Sequence, residues 1–89
     1  MKYVARLAII DAEKNAEYRP LHLEYIGELY RRGKIVMAGP FTDKTGGLVI
    51  YDVDSLEEAL RLVEQDPVVR SGARTATVQE WTVLDLEAL

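Results

Sequence analysis

Residues 48–60, Leu48-Val49-Ile50-Tyr51-Asp52-Val53-Asp54-Ser55-Leu56-Glu57-Glu58-Ala59-Leu60, change their hydrophobic period halfway along, and that change decides the fold. Leu48 and Ile50 alternate with Val49, Tyr51 and Val53, and such branched and aromatic residues suit a pleated strand. At Ser55 the alternation stops. Ser55 with Glu58 three residues on is a capping box, in which the serine oxygen satisfies a free N–H of the first helical turn. Leu56, Ala59, Leu60 and Val63 then recur at helical spacing. The helix is predicted to end near Asp66-Pro67, because proline pushes the residue before it out of helical backbone.

Working outward, Tyr3 to Ile10 reads as a strand closed by the polar segment Asp11 to Glu17. Arg19 to Arg32 reads as a helix: His22, Ile26 and Leu29 share one face, Pro20 suits the first turn, and Gly33 suits the cap. Ile35 to Phe41 is a second strand broken at Gly39-Pro40, and Asp43 to Gly47 is a turn. A short irregular piece through Val68, Arg70 and Gly72 leads to a long fourth strand, Thr75 to Leu84. The order β-α-β-β-α-β over residues 1–89 predicts a single α+β domain of the ferredoxin-like type, a four-stranded antiparallel sheet with both helices on one face. The first and third strands are apolar on both sides, with Arg6 the one charge in the first. The uncovered face is therefore predicted to pack against a second copy, giving a homodimer.

Composition narrows the function. Fifteen acids against 11 bases leave a net charge of −4 with no basic run longer than Arg31-Arg32, which argues against nucleic acid as a ligand. Cysteine is absent, so disulfides, thiolate catalysis and cysteine-held metals are excluded. No apolar stretch approaches the length of a membrane span, and the Tyr3 to Ile10 run lacks the cleavage site of a signal peptide; the expectation is a cytoplasmic protein without a membrane partner.

In this topology the start of the first helix, the end of the second strand, the start of the third and the end of the second helix all meet at one edge. His22, Gly39-Pro40, Gly46-Gly47 and Asp66 mark those places. His22 is the only histidine, and an imidazole changes charge near neutrality, at about pH 6.5. It reads either as a core histidine satisfied by backbone or Tyr25, or as a general base. Asp66 reads either as a helix stop before Pro67 or as the partner of that base. Arg19 and Arg70 at the same edge could receive an anionic substrate. Tyr25, Gly39, Pro40 and Ser71 complete the expected binding set, Ser71 lacking the spacing of a nucleophile elbow. One His and one Asp do not make a metal site, and no cofactor is expected.

The ordered set Arg19-Pro20-Leu21-His22, Ala38-Gly39-Pro40, Gly46-Gly47, Asp54 to Ala59, Asp66-Pro67 and Trp81 resembles the YciI-like (YCII-related) family over nearly the whole chain. The resemblance implies a dimeric α+β barrel related in fold to muconolactone isomerases, with active-site His and Asp mapping onto His22 and Asp66. Some members resemble dehydrochlorinases of hydroxylated chloroaromatics. Two functions follow: a small cofactor-free enzyme moving protons in an elimination or isomerisation of an oxygenated cyclic or aromatic compound, or a non-catalytic module holding a small molecule in the same pocket.

Overall fold

β1 (Lys2–Ile9) lies inside a sheet whose other strands are β2 (Ile35–Pro40), β3 (Gly46–Asp52) and β4 (Arg74–Trp81), in the order β2-β3-β1-β4 with every neighbour antiparallel. The helices are α1 (Ala12–Arg31), α2 (Leu56–Gln65) and the single turn α3 (Pro67–Arg70). This computed structural model describes residues 1–89. Its order and directions are those of the ferredoxin-like α+β barrel fold.

The register explains the core. Tyr3 faces Tyr51 and Ala5 faces Val49 across β1 and β3, which puts one side chain set of each strand on the same side of the sheet. Those residues, with Leu7 and Val53, are buried against Leu29 of α1, Ala59 and Val63 of α2, and Val68 of α3. Leu56 and Leu60, expected on the buried stripe of α2, remain largely exposed. Ser55 does cap α2, accepting from the Glu58 N–H at 3.1 Å.

α1 departs most from expectation, beginning two turns before Arg19. Asp11 is its N-cap, accepting from the Lys14 N–H at 3.0 Å, and Ala12 to Glu17, expected as a polar connection, forms its first turns. Pro20 therefore sits inside the helix, where a proline costs about 3 kcal/mol in isolation. Packing overrides that cost, since His22 and Leu29 are buried and Tyr18, Tyr25 and Ile26 pack on the core. The longer helix places Asn15, Arg19, His22 and Ile26 on one stripe, at i, i+4, i+7 and i+11.

At the start of β3 two glycines let strands approach closely. A Cβ on Gly46 would collide with the Leu7 carbonyl oxygen, and one on Gly47 would lie 2.8 Å from the Gly39 carbonyl oxygen. β4 stops at Trp81, and the segment expected to continue it to Leu84 leaves the sheet.

The sheet face away from the helices is apolar at its centre and polar toward β4. Val4 lies between Ile50 and Gln79, and Arg6 between Leu48 and Thr77. Arg6 stacks on Phe41, with 4.9 Å from the guanidinium carbon to the ring centre. The apolar area is thus smaller than the β1 and β3 sequences alone suggest. No helix is long and apolar enough to cross a membrane.

Candidate active site

Asp66 is fixed by the turn between two helices. Its N–H donates to the Val63 carbonyl at 3.2 Å to finish α2, while its side chain accepts from the Val68 N–H at 3.2 Å and caps α3, with Pro67 in the first helical position. The carboxylate is wholly buried. His22, one-twentieth exposed, reaches it from α1: Nδ1 lies 2.8 Å from Oδ1 and 2.8 Å from Oδ2. An ionised carboxylate only accepts, so Nδ1–H donates and the neutral ring keeps its lone pair on Nε2. Nε2 has no protein partner, yet no sealed side-chain nitrogen or oxygen lacks one, so Nε2 is open to solvent-accessible space.

That space is a cavity of about 150 Å³ between α1 and the β2–β3 edge of the sheet. Its polar wall is Arg19, His22 and Arg74, and its apolar wall includes Ile26, Pro40 and Leu48. A cavity of about this volume holds one benzene-sized ring.

Arg19, Gly39 and Pro40 line the cavity as expected from their edge position, whereas Tyr25, Arg70 and Ser71 do not. The Tyr25 hydroxyl instead donates to the Leu62 carbonyl at 2.6 Å, tying α1 to α2. Burial first, and the Asp66 charge second, push its pKa up to about 12, so it remains a neutral phenol. Burial also pushes the Tyr51 phenol up, again with help from Asp66. Arg70 and Ser71 line a separate surface depression with Gln65 and Pro67. The cause is α3: the segment expected to be irregular is a helical turn, and Ser71 Oγ is occupied in accepting from the Ala73 N–H at 3.3 Å.

The residue missed is Arg74. It is 7% exposed, and its Nε donates to Asn15 Oδ1 at 2.8 Å. Burial lowers its pKa from the usual arginine range, with Asp66 opposing and the nearby Arg19 cation adding to the fall. Strand parity carried the signal: Arg74 is two residues before Ala76 and four before Val78, the apolar alternation of β4, and so shares their inward side. Starting that strand at Thr75 hid it, and starting the helix at Arg19 hid Asn15.

Fold and site together define an α+β barrel protein with a small cavity on a His–carboxylate pair. The chain belongs to the YCII-related domain family, whose model matches residues 1–82. YjpA of Bacillus subtilis (strain 168) is 40% identical over 67 residues, which cover 75% of this chain and 79% of that protein. Two solved structures share the fold. One is 5-chloro-2-hydroxyhydroquinone dehydrochlorinase (TftG) from Burkholderia phenoliruptrix AC1100, in complex with 2,5-dihydroxybenzoquinone; its TM-score is 0.79 at 23% identity, covering 92% of this chain and 94% of that one. The other is a muconolactone isomerase, with TM-score 0.77 at 15% identity, covering 97% and 93%.

Proposed function

We propose that this protein is a small proton-transfer enzyme acting on a single oxygenated ring, with His22 as general base and Asp66 as the residue that orients it. The observation that carries this reading is the asymmetry of the His22 ring. Nδ1 is bound to a buried carboxylate, while Nε2 is left open on a cavity of one-ring size. Asp66 holds the base in one tautomer and stabilises the imidazolium that forms.

In an elimination from a keto tautomer, where the chlorine-bearing ring carbon is saturated, Nε2 takes the proton of a ring hydroxyl; the O–H pair forms a C=O, the adjacent double bond shifts onto the chlorine-bearing carbon, and chloride departs with its own bonding pair. The imidazolium then releases the proton to water. In an isomerisation Nε2 takes the proton from a ring C–H instead, and the imidazolium returns it to a different carbon. Neither route needs an electron acceptor. The dehydrochlorinase and the isomerase that share this fold perform reactions of these two kinds, which supports the reading without choosing between them.

The test is to incubate the protein with chlorinated hydroxyhydroquinones and unsaturated lactones while following chloride release and double-bond migration. Accelerated turnover of one class supports the enzyme. Saturable binding across the panel with no turnover favours the non-catalytic module.

The central apolar strip of the open sheet face, Val4, Leu48, Ile50 and Met37, is assigned on the same reading to a homodimer contact. Met37 is 61% exposed in the single chain, and an 89-residue domain gains stability from a partner surface.

A further inference from the structure

We infer that Arg74, oriented by Asn15, is the anion-binding residue of the cavity, and that the compound held there is a ring bearing one ionised oxygen group. The inference deepens the proton-transfer reading by naming a substrate class for that cavity.

Arg74 is more than nine-tenths buried, but only Nε is bonded, to Asn15 Oδ1. Neither Arg74 nor Arg19 belongs to any of the ion pairs in the chain. No sealed side-chain nitrogen lacks a partner, so neither Nη group is sealed, and Arg74 is among the residues that line the cavity. A buried cation that no carboxylate touches is costly even with Asp66 nearby, and an incoming anion relieves that cost. The charge count sets the size of that anion's charge. Of the buried charges, Arg74 and Asp66 cancel and His22 as a base is neutral, so the solvent-exposed Arg19 that lines the cavity leaves one positive charge for a ligand of single negative charge to match. Guanidinium geometry favours a carboxylate or similarly disposed oxygens, which it binds through two parallel hydrogen bonds. Asn15 holds the Nε side of the fork and so directs its Nη end inward. The remaining walls fit a ring.

The experiment is calorimetric titration with benzoate and with benzamide, neutral and of nearly the same shape, at one ionic strength and neutral pH. Wild type is expected to bind benzoate at least about tenfold more tightly, the lower end of what a charged hydrogen-bonded pair supplies. Arg74→Gln should erase the preference, Arg74→Lys should keep part of it, and Asn15→Ala should reduce it several-fold with the charge still present. A merely structural role for Arg74 would lower thermal stability and leave the benzoate-to-benzamide ratio unchanged. His22→Gln should retain the ratio, so loss of the proton-transfer reading does not remove this one. Equal affinity for the two probes in wild type, no saturable binding of benzoate at millimolar concentration, or an unchanged ratio in Arg74→Gln overturns the inference. Should Arg74→Gln fail to fold, unchanged ratios in Arg74→Lys and Asn15→Ala overturn it equally.

Discussion

His22 and Asp66 stand 44 positions apart in the chain, and their side chains meet at 2.8 Å, joining the middle of α1 to the turn that closes α2. The contact is closed on the carboxylate side and open on the other side of the ring. A pair that only stabilised the core would have no need of an open Nε2, and a freely exposed pair would not hold one tautomer.

Removing the carboxylate should loosen the fold as well as the site. Asp66→Ala takes away the acceptor for His22 Nδ1–H and the cap of α3, and leaves a buried donor unpaired. The expected loss is about 3 kcal/mol in urea unfolding, from one unsatisfied group and one cap. Asp66→Asn, which keeps an acceptor oxygen, should cost clearly less. Equal losses would contradict the hydrogen-bonding account.

The two sides of β3 should answer differently to a charge. Ile50 faces the open sheet face, and Val49 faces the helices in the core. Ile50→Lys, at a position only 8% exposed but outside the helix-side core, is therefore expected to cost less stability than Val49→Lys and to shift light scattering from dimer to monomer, whereas Val49→Lys should fail to fold. A wild-type monomer at micromolar concentration would rule out the assigned homodimer contact.

Acid should weaken one surface tether in a definite window. Lys34 Nζ donates to Glu58 Oε2 at 2.8 Å, and that hydrogen bond holds the Glu58 carboxyl below its ordinary value of 4.5. A carboxyl lowered in the folded state contributes stability above its unfolded value, which is lost as pH falls through the folded one. Glu58→Gln should flatten the fall in melting temperature below pH 4.5 and leave its slope near neutrality unchanged. An identical acid slope in the two proteins would contradict the tether.

Much of this was legible because it rests on local signals. The alternation in residues 48–53, the Ser55–Glu58 cap and the Pro67 stop each fix backbone within a few residues, and the order of elements then brings His22 and Asp66 to one edge. What escaped notice depends on tertiary packing. A proline inside a helix reads as a start, because only the core contacts of His22 and Leu29 show that the helix tolerates it. Extending α1 to Asp11 is what brings Asn15 to Arg74. Arg70, nearer to Asp66 in sequence, attracted the anion-binding role, but one helical turn at Pro67–Arg70 sends it to another surface.

Gly46 should tolerate no side chain. Gly46→Ala brings a Cβ against the Leu7 backbone oxygen, and backbone cannot yield as a flexible side chain can. The β1–β3 ladder must shift, with an expected loss of about 1–3 kcal/mol, typical of overpacking. A melting temperature equal to wild type would show that the strand end relaxes freely.

The most direct test of the account compares turnover by wild type and His22→Gln, on whichever ring compound the wild type converts, under conditions where both are fully folded. General acid–base assistance is worth about 10²- to 10⁴-fold, and glutamine keeps much of the shape without the basic nitrogen. A fall of that size, with Asp66→Asn intermediate, is the predicted result. Equal rates in wild type and His22→Gln would contradict the assignment of His22 as the base.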